Sequence, residues 1–84
     1  MSWVVVTQDA YEAWEATTDP DADADLRVAV LEWVLGLQDG PPVEGVFDPD
    51  RETFFAQVGD TGVWIEYLVL PDLDPPAIVI RRYR

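Results

Sequence analysis

Apolar and polar positions fall into blocks that read as one strand, two helices and three further strands. Trp3-Val4-Val5-Val6-Thr7 is β-branched and aromatic, the make-up of a short strand. Asp9 and Glu12 stand at capping-box spacing, which predicts a short helix starting at Ala10. Tyr11 and Trp14 share one face of that helix, Glu12 and Glu15 take the other, and Thr17-Thr18-Asp19-Pro20 should end it. The strongest periodicity follows. Leu26, Ala29, Val30, Trp33, Val34 and Leu37 form one apolar stripe at helical spacing, and Gly40-Pro41-Pro42 supplies the stop. After a loop through Val43–Asp50, Thr53–Val58, Val63–Leu70 and Ala77–Tyr83 read as strands. Gly59-Asp60-Thr61-Gly62 is a tight hairpin connection between the first two, and Pro71–Pro76 a stiffer link to the third. The expected fold is α+β: β-α-α-β-β-β over residues 1–84 as one domain. An antiparallel sheet of three to four strands would carry two helices packed on one face.

Composition narrows the chemistry. The 84 residues include 17 acids and five arginines, for a net charge of −12, and neither Lys, His nor Cys. Without Cys or His there is no disulfide framework, thiolate nucleophile or imidazole base, and no ordinary zinc site. No cofactor is expected. Ala, Val, Asp, Arg and Pro dominate as in a GC-rich bacterial genome or its phage. The short Trp3–Val6 run lacks a basic leader, and no apolar stretch approaches ~18 residues, so a cytoplasmic protein is expected. The acidic field repels nucleic acid and anionic membrane and favours basic protein surfaces.

Three local patterns invite a chemical reading. Asp21, Asp23, Asp25 and Glu32 stand at calcium-loop spacing, but Leu26 replaces the glycine that such a loop needs, and the helix stripe begins there. A solvated, helix-capping loop is the better account. Asp60-Thr61-Gly62 matches the aspartic-protease triplet but serves as a hairpin turn. The third pattern is the C-terminus, Arg81-Arg82-Tyr83-Arg84. Residues 1–80 carry a balance of −15 and the last four +3. Three guanidiniums beside a phenol could bind phosphate and move a proton; alternatively, they neutralise nearby carboxylates of an over-acidic domain.

The order of elements, with Trp3-Val4-Val5-Val6, Leu37–Pro42, Val63–Val69 and Ala77–Arg84, resembles the RelE/ParE superfamily of small bacterial toxins, most of all its YoeB-like members. The resemblance spans nearly the whole chain as a pattern. It implies a strand, two helices and a three-stranded meander. It also implies either ribosome-dependent mRNA cleavage or, in ParE-like members, inhibition of a protein target, DNA gyrase. Arg82 and Tyr83 match the Arg-Tyr near the YoeB-like ending, while Arg84 stands in place of a His. Trp64 takes the place of a family Arg just before the matching Tyr67, and Phe55, Ala56 and Gln57 lie where basic residues are usual.

A polyanion needs more Lys/Arg contacts than this chain offers, so the favoured expectation is a toxin-like, non-enzymatic interaction protein, a growth inhibitor or a phage or host regulator. It would bind a basic protein surface or a cognate antitoxin through Asp19, Asp21, Asp23 and Asp25. The first alternative is a divergent, metal-independent mRNA endonuclease using Arg81, Arg82, Tyr83 and Arg84. The second is an acidic nucleic-acid mimic.

Overall fold

A computed structural model describes residues 2–18 and 24–84. The chain is α+β. Strand β1 (Val4–Val6) leads into helix α1 (Gln8–Glu15) and then helix α2 (Ala24–Leu35), which tightens into a 3-10 turn over Gly36–Asp39. Four strands follow: β2 (Val46–Asp48), β3 (Thr53–Gln57), β4 (Trp64–Leu70) and β5 (Ala77–Tyr83). They form one sheet in the order β1-β5-β4-β3-β2.

Two expectations about the sheet need correction. It has five strands, because Val46–Asp48, read from sequence as loop, pairs antiparallel with β3. It is also mixed, because β1 runs parallel to β5, with Val5 opposite Ile78. The chain makes that parallel pair possible by crossing the sheet: α1 and α2 carry it from β1 at one edge to β2 at the other, and β3 and β4 lead back to β5. Strand β2 is too short for a pattern of its own. Its anchor is the Phe47 ring against Phe54, with centroids 5.0 Å apart. Gly45 admits the chain there, since a side-chain carbon at that position would collide with the Tyr67 hydroxyl.

Helix α1 begins earlier than expected. Thr7 is its N-cap and Asp9 lies within the first turn, where its charge suits the helix dipole without capping it. Thr7 makes no capping bond because its hydroxyl is engaged by the Tyr83 hydroxyl. At the other end the Thr17 and Thr18 hydroxyls donate to the carbonyls of Trp14 and Glu15, at 2.7 and 2.9 Å. Arg27 of α2 closes the same end: its Nη2 donates to the Glu15 carbonyl at 2.9 Å, a cation on the free carbonyls of a helix C-terminus.

Along the α2 stripe, Val30, Val34 and Leu37 are buried, Leu26 and Trp33 are half-buried, and Ala29 is exposed. The opposite side of α2 is apolar too: Val28, Leu31 and Leu35 face solvent. Gly40 then turns the chain at φ 136°, a conformation that favours glycine. Both helices contribute to one core, Trp14 from α1 and Val30 and Val34 from α2, packed against Ala56, Ile65, Tyr67, Ile78 and Ile80. The hairpin at 59–62 forms as expected, with Gly59 and Gly62 at positive φ and the Thr61 hydroxyl donating to the Val58 carbonyl. No helix among the described residues is long and apolar enough to cross a membrane.

Candidate functional site

Side chains alternate across a strand, so the register assigns each to one face of the sheet. Val5, Ile78, Tyr67, Ile65, Phe54 and Ala56 point toward the helices and pack in or against the core cluster. Their neighbours point the other way, where no element of the described chain lies over them. Val4, Val6 and Leu70, exposed, and Val79 and Leu68, half-buried, form adjoining rows around a buried Ala77 at one end of this bare face. Val6 is 50% exposed, whereas Ile78, one strand away on the covered side, is fully buried.

The other end of the bare face is built differently. Glu66 of β4 stands between Arg82 of β5 and Phe55 of β3. Although it sits on the uncovered side, Glu66 is only 8% exposed. The Thr53 hydroxyl donates to its Oε2 at 2.9 Å, and Arg51 Nη1 lies 3.6 Å from its Oε1. The guanidiniums of Arg51 and Arg84 lie 6.0 and 5.8 Å from the Phe55 ring centroid, within reach of a cation–π contact. Trp64, 43% exposed, exchanges both backbone hydrogen bonds with Arg84, at 2.9 and 2.8 Å. A carboxylate, three guanidiniums and two aromatic rings thus adjoin an aliphatic patch.

The C-terminal quartet is divided between surfaces. Arg82 pairs with Glu66 and Ile80 with Tyr67, which leaves Arg81 as the extra residue of a β-bulge. The bulge resets the alternation: Arg82 and Arg84 take the bare face, while Tyr83 turns toward the helices. There Tyr83 is 7% exposed, stacks on Trp14 at 5.6 Å and meets Tyr11 edge-on at 5.9 Å. Burial pushes the Tyr83 phenol above its ordinary pKa; the bond with Thr7 acts in the opposite direction, and Tyr11 adds to the rise. The structure brings Arg82 and Arg84 together and separates both from the Tyr83 hydroxyl. Among the described residues Arg81, Arg82 and Arg84 form no ion pair; the single one is Arg51 with Glu66.

Of the acidic candidates, Asp25 is exposed in the first turn of α2, and Asp19, Asp21 and Asp23 lie outside the described residues. Asp25 and Glu32 are part of a continuous helix, and no group of three acids among the described residues is placed to hold a metal ion. Asp60 is exposed in its hairpin.

Sequence reasoning singled out neither the aliphatic patch nor the Thr53–Glu66 pair. A signal for the patch was present. Val4-Val5-Val6, Tyr67–Leu70 and Ala77–Ile80 are apolar at every position, the pattern of strands buried on both sides. The described helices cover only one side. The Thr53–Glu66 pair depends on register, for which no local pattern exists. Comparison with protein-family models, curated proteins and solved structures gave no match.

Proposed function

We propose that this is a non-catalytic protein-binding domain whose working surface is the bare face of its sheet. One observation carries the reading: the strand segments Val4–Val6, Tyr67–Leu70 and Ala77–Ile80, apolar at every position, have a helical layer on one side and no described element on the other. Exposed and half-buried aliphatic side chains in adjoining rows are costly unless a partner covers them, and contiguous patches of this kind mark interaction surfaces. The partner presents an apolar patch to Val4, Val6, Val79 and Leu68. Its basic rim meets the acidic remainder of the chain, Asp25 included, so association slows as salt rises. A basic protein surface or a cognate antitoxin fits that description. The toxin-like part of the proposal rests on the sequence resemblance to the RelE/ParE superfamily alone. The endonuclease alternative gains little from the geometry, because the Tyr83 phenol is turned away from Arg82 and Arg84 and engaged by Thr7.

Induced expression in a bacterium tests this directly. Wild type should arrest growth, Tyr83→Phe should arrest it equally, and the double variant Val6→Ser with Leu68→Ser should not, provided circular dichroism shows it folded. Arrest by that double variant would remove the bare face from the mechanism. Arrest lost in Tyr83→Phe with the fold intact would favour the endonuclease. Absence of arrest by wild type would overturn the growth-inhibitor reading.

A further inference from the structure

Strand β5 is longer than the β1 strand beside it. Their pairing ends at Val6 opposite Val79, after which the chain leaves the sheet through Thr7 into α1. From Arg81 onward, β5 therefore has a neighbour on one edge only. The reciprocal Trp64–Arg84 hydrogen bonds fix which backbone groups that edge displays. Antiparallel pairs alternate between hydrogen-bonded and non-hydrogen-bonded, so the adjoining pair, Ile65 opposite Tyr83, directs the Tyr83 N–H and C=O away from β4. No described residue hydrogen-bonds to either group.

That edge opens onto a cavity of about 240 Å³ between β5 and α1, lined by Ala10, Ala13, Trp14, Thr17, Arg81, Arg82 and Tyr83. A second hollow of about 410 Å³, toward the end of β1, shares Ala10 and Arg81 with it. Together they make a slot that continues the line of β1. The α1 wall of the cavity carries two alanines where larger side chains would fill it. In a chain with 17 acids and five arginines, the cavity lining holds two arginines and no carboxylate. Neither Arg81 nor Arg82 has an ion-pair partner among the described residues. Asp9 belongs to the other hollow, so an acidic group is repelled there and drawn to the Arg81–Arg82 end.

We infer that this slot accepts a short extended segment of a partner polypeptide, added to β5 as a strand where β1 stops. The segment's backbone pairs with the Tyr83 N–H and C=O, its small apolar side chains lie over Ala10 and Ala13, and an acidic side chain reaches Arg81 and Arg82. Unpaired strand edges are templates for such addition, and backbone pairing with side-chain pockets is how strand-adding domains combine affinity with specificity. The slot meets the aliphatic patch at Val6 and Val79, which line its second hollow, but Val4 and Leu68 lie outside it, so one surface can fail while the other holds.

The test is selection of a random decapeptide phage library on the intact protein, followed by titration of the synthesised winners. The winners should share an acidic position flanked by small apolar residues. Their affinity should fall at least about tenfold for Ala13→Trp and for Arg81→Ser. Ala13 is exposed on α1, so its replacement fills the slot without entering the core. In the wild type, hydrogen exchange at the Tyr83 amide should be slowed by bound peptide, a readout that needs no variant to fold. Failure to enrich any peptide, a basic consensus, equal binding to Ala13→Trp, or an unprotected Tyr83 amide would each overturn the inference. Unchanged peptide binding by a Val4→Ser, Leu68→Ser variant, changed at two bare-face residues outside the slot, is expected and separates this site from the bare face.

Discussion

The two faces of the sheet are cut from the same strands, residue by residue, and one end of the bare face is as aliphatic as the covered one. On the covered side, Ile78, Ile80, Ile65 and Tyr67 lie under α1 and α2 and are buried. On the other, Val4, Val6, Val79 and Leu68 have no layer of described residues over them, and the buried polar pair Thr53 and Glu66 lies beside arginines and aromatic rings. Hydrophobicity alone therefore does not identify the core of this molecule. The core is the apolar face that the chain itself can cover, and among the described residues two helices do so. What remains apolar and uncovered is the part of the surface that folding does not explain.

The sharpest way to break the comparison is to cut equivalent side chains on neighbouring residues of β5. Ile78→Ala leaves a cavity in the packed core and should cost about 2–5 kcal/mol of unfolding free energy. Val79→Ala, one residue away on the bare face, should cost about 1 kcal/mol or less, because water already reaches that side. Urea denaturation of both variants measures the difference. Equal losses would mean that something covers the bare face in solution, self-association being the first thing to examine.

Most of the elements were readable beforehand, the asymmetry between the faces was not, and the unread part has a common cause. Helix α2 was legible because its stripe is local and Gly40-Pro41 marks its end. The three long strands were legible from β-branched and aromatic runs between turns. Strand β2 was not, since three residues held by ring contact with Phe54 carry no period of their own. The parallel pairing of β1 with β5 joins residues at opposite ends of the chain, and no local pattern encodes it. The bulge at Arg81 was equally silent. It decides that Tyr83 faces the helices, and this in turn draws the Thr7 hydroxyl away from capping α1. Composition singled out the arginines at the C-terminus; only register could divide them between two surfaces.

An intermediate effect is expected at the polar end of the bare face. Thr53→Val keeps the shape but removes the hydroxyl that donates to Glu66, leaving a largely buried carboxylate short of one partner. The loss should be about 1–3 kcal/mol. Arg82→Ala, opposite Glu66 but not ion-paired to it, should change stability by about 0.5 kcal/mol or less. Thermal unfolding of the two variants distinguishes a structural carboxylate from a surface one. A Thr53→Val protein as stable as wild type would return Glu66 to the exposed half of the comparison.

The smallest effect should come from the hydroxyl that ties the two ends of the chain together. Tyr83→Phe removes its bond with Thr7 while keeping the ring stacked on Trp14, so near neutral pH the cost should be about 0.5–1.5 kcal/mol. Alkali should shrink that difference. Burial raises the folded-state pKa of Tyr83, as it does for Tyr67 and Tyr11, above the value of 10.0 expected in the unfolded chain. As pH rises through that value, unfolded molecules release phenolic protons that folded molecules retain, so the unfolded state gains and stability falls. Wild type has one more such group than the variant and should fall more steeply. Urea titrations at about pH 7 and about pH 10.5 should therefore converge for the two proteins. A gap that stays constant across that interval would mean that Tyr83 ionises as readily in the folded chain as in the unfolded one, and would place its hydroxyl on the solvent side of the sheet.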